Sequence, residues 1–255
     1  MVLTTGRLRT PDGHDIAYDQ IAPAPGFKGP GVVFLHGLAS DRKGTKVLAL
    51  AEHCARRGCG FLAIEMYGHG ESTGQFVDGG PSRWRDDAVL ALDKLTHGPQ
   101  LVIGSSMGGW IMLLTALARP ERIAGLIGIA PAPDFTEDLL WDLLDDARRT
   151  EMLANGFVEH RQDDGVTVMR LSLHLVEDGR KNLLLGAPIG IDAPVSLLHG
   201  QNDISVPWDR SLKIATQLTS SAVQIHLIKD GDHRLSRPQD LALLTAEVDR
   251  LLAGA

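Results

Sequence analysis

A serine in the pattern G-x-S-x-G can serve as a nucleophile, and Gly104-Ser105-Ser106-Met107-Gly108 matches that pattern in one frame, centred on Ser106. The apolar run Leu101-Val102-Ile103 precedes it and a helical stretch follows. That strand–turn–helix context is what the motif requires. The flanking glycines let backbone segments approach closely while the serine sits on a sharp, strained turn with its hydroxyl projecting. The N-terminus of the helix beneath offers free N–H groups and favours negative charge. Ser105 is out of frame and is expected to pack against the sheet.

A serine hydroxyl is a poor nucleophile until a base takes its proton. Ten histidines are available. For a nucleophile on this kind of turn the order along the chain is serine, acid, histidine, which selects the late histidines. His226 lies inside the run VQIHLI and reads as a strand residue. His233 lies in the loop just beyond, in Lys229-Asp230-Gly231-Asp232-His233, where a loop at a strand's C-terminal end faces the nucleophile turn. His233 is the expected base. The acid that orients it is expected to be Asp203, presented after the strand 194–199 by the turn residues Gly200 and Asn202. Asp134, after the preceding strand, is the rival; Asp230 and Asp232 are too near His233 in sequence to be obvious partners. The acyl oxyanion needs backbone N–H donors, expected from Met107 and from Leu38 in His36-Gly37-Leu38. His36 itself is expected to brace that loop without transferring protons. The glycines of Tyr67-Gly68-His69-Gly70-Glu71-Ser72 lack the lysine and spacing of a phosphate loop. This stretch reads as a structural turn beside the site, and Glu65, His69 and Glu71 give no supported metal site.

These groups must be positioned by a frame of strands and helices. VLTTGRLRT and HDIAYDQIA flank the turn signal Pro11-Asp12-Gly13 and read as an antiparallel hairpin. GVVFLHG (31–37), GFLAIEMYGHG (60–70), LVIGSSMGG (101–109), IAGLIGIAPAP (123–133), PVSLLHGQND (194–203) and VQIHLI (223–228) contain short apolar runs typical of strands buried on both faces. Between them, 43–57, 82–98, 110–120 and WDRSLKIATQLTS carry helical patterns, with Ser82 a candidate N-cap and Pro120 a stop. QDLALLTAEVDRLLA is the last helix. This alternation predicts an α/β fold: a mostly parallel sheet with helices on both faces. The segment from about 134 to 192 is richer in charge and interrupts the alternation. DFTEDLLWDLLDDARR reads as helical and VTVMRLSLHLV as a possible hairpin arm. The insertion is expected to form a small lid over a pocket. Trp110 and Trp141, with Leu139, Leu140 and Leu143, are candidates to line an apolar acyl site.

Composition narrows the partners. The chain has 255 residues, 44% hydrophobic and 22% charged, with a net charge of −7. It reads as one domain over 1–255 carrying the insertion at about 134–192. Nucleic acid and anionic membranes call for clustered Lys and Arg, and the arginines between 148 and 180 are interspersed with Asp and Glu. No stretch reaches the apolar length of a membrane span. The N-terminus lacks the apolar run of a signal peptide, and Cys54 and Cys59 form no metal or redox motif; both read as buried thiols. A cytoplasmic location is expected, while the oligomeric state is not legible.

HG-L, the Y-G-H-G-E-S turn, G-S-S-M-G-G, HGQND and GDH together resemble the α/β-hydrolase superfamily over nearly the whole chain. KGTKVLALAEHC, SRWRDD, GSSMGGWIMLLTALARPERIAGLIGIA, ISVPW and DHRLS resemble more closely the mitochondrial palmitoyl-protein thioesterase and acyl-glucuronide esterase group with its bacterial relatives. The resemblance implies an eight-stranded, mostly parallel sheet, a Ser106–Asp203–His233 triad and oxyanion donors Leu38 and Met107. It also implies cofactor-free, metal-free hydrolysis of small-molecule or acyl-protein esters and thioesters. The animal members carry a mitochondrial transit segment, a pattern not seen in this N-terminus. An acyltransferase using the same acyl-enzyme is the alternative, followed by a non-catalytic binding module, which would need no nucleophile. A dehalogenase would need a carboxylate at Ser106.

Overall fold

The computed structural model describes residues 2–161 and 168–254. The chain opens with β1 (Thr4–Arg9) and β2 (Asp15–Ile21), followed by β3 (Gly31–Leu35), α1 (Thr45–Arg57), β4 (Phe61–Ile64), α2 (Pro81–Leu95), β5 (Gln100–Ser105), α3 (Met107–Ala118) and β6 (Ile123–Ile129). An excursion follows: α4 (Phe135–Asp138), α5 (Asp146–Asn155), β7 (Phe157–Arg161), β8 (Val168–Ser172) and α6 (Leu173–Arg180). The main sheet resumes with β9 (Val195–Gly200), α7 (Asp209–Gln217), β10 (Val223–Ile228) and α8 (Pro238–Ala253).

Eight strands form one sheet in the order β1-β2-β4-β3-β5-β6-β9-β10. The first two make the expected hairpin, closed by Gly13 N–H donating to Thr10 O at 3.0 Å. β2 runs antiparallel to β4, and every pairing from β4 to β10 is parallel. The central strands are apolar throughout because both faces are covered. Val33 and Leu35 of β3 enter the core with α2 and α3 residues, while Val32 and Phe34 enter the core with α1 and α8. α3 itself is buried from Met107 to Ala116, as an apolar-all-round helix must be.

Two boundaries differ from the sequence reading. α2 begins at Pro81, with Gly80 at the cap in place of Ser82, since proline's fixed φ suits the first helical position. Ser82 instead gives its N–H and hydroxyl to the Asp178 carboxylate of α6, each at 2.8 Å. DFTEDLLWDLLDDARR is not one helix. It breaks into α4, a single 3₁₀ turn at Trp141–Leu143, and α5. Leu144 is extended and Asp145 starts a new helix by accepting from Arg148 N at 2.8 Å. Val168–Ser172 of the possible hairpin arm does pair antiparallel with β7, and Ser172 then caps α6; the arm's first two residues, 166–167, lie outside the described residues.

Candidate active site

β5 ends at Ser105 and α3 begins at Met107, so Ser106 must reverse the chain in one residue. It does so at φ 55 and ψ −120, a conformation that costs a non-glycine residue roughly 1–3 kcal/mol. Neighbours hold it there. Ser106 N–H donates to Ile129 O at 2.9 Å, and Ser106 O accepts from Gly109 N at 2.8 Å and Ala132 N at 3.0 Å. The glycines flanking it are required sterically: a Cβ on Gly104 would stand 2.2 Å from Gly108 O, and one on Gly108 would stand 2.2 Å from Leu35 O.

His233 lies in the loop between β10 and α8. Its Nε2 is 3.1 Å from Ser106 Oγ, and its Nδ1 is 2.7 Å from Asp203 Oδ2. Asp203 follows β9, with a side chain fully removed from solvent, whereas that of His233 is 27% exposed. Asp203 Oδ1 accepts the N–H groups of Ser205 at 2.9 Å and Val206 at 2.8 Å. A second imidazole, His199 of β9, brings Nε2 to 3.2 Å from Asp203 Oδ2. Burial opposes ionisation of Asp203, but the hydrogen bonds from His199 and His233 outweigh it and hold the carboxyl well below the usual range. His199 Nε2 also faces Val206 O at 3.1 Å, and its Nδ1 faces Ser211 Oγ at 2.8 Å. Two acceptors at Nε2 place the proton there, so the Ser211 hydroxyl donates to Nδ1. The sequence reading overlooked His199, because a histidine inside an apolar strand looks like any satisfied core residue.

The rival groups are engaged elsewhere. Asp134 accepts from Leu184 N and Leu185 N at 2.8 Å each. His226 faces Glu247 of α8 at 3.3 Å. Leu38 and Met107 both border the space over Ser106. Met107 opens α3, so its N–H has no intrahelical acceptor. His36 is buried, with Nδ1 2.7 Å from Gly37 O and Nε2 accepting from Met66 N at 3.1 Å. Burial, with His69 beside it, pushes its imidazole down to about 3. The 67–72 turn is tied by Glu71 N–H on the Glu65 carboxylate and by Ala17 N–H on Ser72 Oγ. Among the described residues no group of three His, Cys, Asp or Glu side chains is placed to hold a metal ion. Ser105 is buried, with 8% of its surface exposed, and borders the larger cavity over the site.

Two cavities meet at Ser106. One, of about 180 Å³, is walled mainly by apolar side chains from α4 and its flanks. The other, of about 590 Å³, runs along the loop after β3 and the start of α1. His160 and Met169 of the β7–β8 hairpin border both. Trp110 and Trp141 lie elsewhere than the sequence suggested. Trp110 is fully buried, with its indole N–H on Asn182 O at 3.1 Å. Trp141 packs under the guanidinium groups of Arg149 and Arg180, 5.6 and 4.8 Å from its ring centroid. Leu139 and Leu140 do line the smaller cavity, together with Phe135, which the sequence reading did not single out. Leu143 is 71% exposed.

The family model described as serine aminopeptidase, S33, matches residues 30–172. The mouse mitochondrial palmitoyl-protein thioesterase ABHD10 is 36% identical over 227 residues, which are 88% of this chain and 76% of that protein. Among solved structures, a protein of Agrobacterium vitis S4 is 35% identical with a TM-score of 0.93, covering 99% of this chain and 100% of the other. The mouse α/β-hydrolase domain-containing protein 10 is 33% identical with a TM-score of 0.90, covering 98% and 99%. Among the described residues no helix is long and apolar enough to cross a membrane.

Proposed function

The chain belongs to the serine aminopeptidase S33 family of α/β-hydrolases and is an ester and thioester hydrolase; from that premise we propose that it works through an acyl-enzyme on Ser106, with His233 as base and Asp203 as the acid that orients it. The observation that carries the reading is the unbroken relay from Ser106 Oγ to His233 Nε2 at 3.1 Å and from His233 Nδ1 to Asp203 Oδ2 at 2.7 Å. In the first half-reaction His233 Nε2 takes the Ser106 proton as Oγ attacks the acyl carbon. The oxyanion is received by the N–H groups of Leu38 and Met107, each worth roughly 3 kcal/mol of transition-state stabilisation. Nε2–H then protonates the departing thiol or alcohol. Water, deprotonated by the same nitrogen, releases the acid and restores the serine. Asp203 keeps the proton of the resting imidazole on Nδ1 and stabilises the imidazolium. This chemistry needs neither metal nor cofactor.

The substrates are small-molecule or acyl-protein esters and thioesters, with acyl glucuronides among the classes the resemblance of the sequence motifs implies. The chain 1–255 acts as one domain, and the insertion at about 134–192 is its lid, placing the β7–β8 hairpin beside the nucleophile. The test is covalent labelling by a fluorophosphonate together with turnover of a p-nitrophenyl ester. Ser106→Ala should lose labelling and about six orders of magnitude in kcat. Labelling that survives the substitution would overturn the assignment.

A further inference from the structure

His199 occupies a position where the fold asks for an apolar side chain. Side chains alternate along β9, and Val195 and Leu197, on one face, enter the core with Ile214 of α7. His199 is next on that face and is fully buried. An imidazole there is tolerable only with its bonds made. Its Nδ1 is 2.8 Å from the Ser211 hydroxyl, and its Nε2 lies between Val206 O at 3.1 Å and Asp203 Oδ2 at 3.2 Å. The ring is thus clamped from α7, from the loop after β9 and from the carboxylate itself.

A carboxylate has about four acceptor sites. On Asp203, Ser205 N–H and Val206 N–H occupy Oδ1, while His233 and His199 occupy Oδ2. Each donor draws charge from the same group. The charge left for His233 decides how firmly Asp203 holds its Nδ1 proton and how far it stabilises the imidazolium. His233 has the shorter bond, 2.7 Å against 3.2 Å, and His199 competes with it for one oxygen. Among the described residues no other charged side chain is hydrogen-bonded to these three. Asp232 turns to Leu235 N–H at 2.9 Å, and Arg210, beside Ser211 on α7, turns to Pro133 O and Asp138. Lys46 of α1, Arg234 and His160 of β7 border the cavity at His233, with Lys46 Nζ on Arg234 O.

We propose that His199 is a positioning residue of the triad: it occupies one lobe of Asp203 Oδ2, limits the hold of that carboxylate on the protonated base, and so lets His233 act at lower pH than an acid facing one imidazole would allow. The inference rests on Ser106, His233 and Asp203 being the triad. In the cycle the proton passes from Ser106 Oγ to His233 Nε2 and on to the leaving group, while His199 keeps its own Nε2 proton throughout.

The experiment measures kcat and KM for a p-nitrophenyl ester across pH, together with the far-downfield NMR resonance of the His233 Nδ1 proton. In His199→Phe the acid limb of kcat/KM should move up by about one pH unit, the worth of one donor to a charged group, with KM on the plateau unchanged. The proton resonance should move further downfield. His199→Gln, which returns a donor, should bring both back towards the unsubstituted protein. A packing role would move neither, so an unmoved limb or an unmoved resonance in folded His199→Phe overturns the inference. If that variant does not fold, the unsubstituted protein decides. Its ¹⁵N shifts should place the His199 proton on Nε2 at a pH where the enzyme is active, and a proton on Nδ1 overturns the inference. Asp203→Asn separates this inference from the reading beneath it. It should lose about 10⁴-fold in kcat; if it keeps its activity, the triad assignment fails. An inactive Asn variant beside an unmoved His199→Phe profile removes only the role of His199.

Discussion

Asp203 gathers two backbone N–H groups on one carboxylate oxygen and two imidazoles on the other, with no exposure of its side chain. A buried charge is tolerable only when its hydrogen bonds are made. His199 is therefore part of what allows Asp203 to remain ionised beside His233. His199→Phe, which keeps the ring and removes the donor, should destabilise the fold at neutral pH by roughly 1.5–3 kcal/mol. The sign of its pH dependence follows from the depressed carboxyl of Asp203. A carboxylate held below its ordinary value contributes stability that is fully present above about pH 4 and is lost as the pH falls below it. Urea midpoints of the unsubstituted and Phe variants should thus draw progressively together as the pH falls below about 5. A gap that stays constant with pH would assign His199 to packing alone.

At the level of elements, the β5–Ser106–α3 turn works because three pieces of backbone crowd together without side chains between them. Gly108 faces the carbonyl oxygens of Leu35 and His36, which a Cβ would meet at 2.2 and 2.5 Å. Neither can swing aside as a side chain would, since both belong to the end of β3 and the loop that carries Leu38. Gly108→Ala should cost more than ~4 kcal/mol, beyond the usual range for a point substitution, and should abolish fluorophosphonate labelling. Gly190→Ala is the control, because nothing lies within 4 Å of its added Cβ, and its effect should stay within about 0.5 kcal/mol. Thermal melts of the two variants decide. Comparable losses would show that the close approach is not what fixes the turn.

Across the whole molecule, one buried cation joins the antiparallel edge to the parallel core. Arg42, in the loop between β3 and α1, pairs with Asp19 of β2 at 3.1 Å, with Glu65 just after β4, and with Glu71 of the 67–72 turn at 3.1 Å. Its side chain is 2% exposed and that of Glu65 is 1% exposed. Removing the cation leaves Asp19 and Glu65 charged in a poorly solvated place. Arg42→Met should lower the stability measured in urea by about 3–5 kcal/mol. Lys43→Met breaks only a solvent-facing pair with Glu71 and should change it little. Equal effects would mean that the network carries no more than surface pairs do.

The sequence by itself determined the alternation of buried strands and helices, the turn at Ser106, and the two loops that carry Asp203 and His233. These are local signals: an apolar run reports a strand, glycines report close backbone approach, and a polar group just past a strand is delivered to the sheet's C-terminal edge. The hairpin at Pro11-Asp12-Gly13 was legible for the same reason. Tertiary structure decided the rest. Trp110 faces the core behind Phe135 because α3 is enclosed on all sides, so its aromatic character announced a pocket that its position does not line. The 134–149 stretch breaks into α4, a single 3₁₀ turn and the start of α5 where its helical pattern suggested one helix. His199 acquires its partners only when β9, the loop to Val206 and α7 come together. The cavity beside Ser106 is walled by Leu38, Phe135, Met169 and Val206, which are far apart in the chain. Periodicity reports which face a residue prefers, whereas the shape of a cavity is a sum over side chains that meet only in the folded protein.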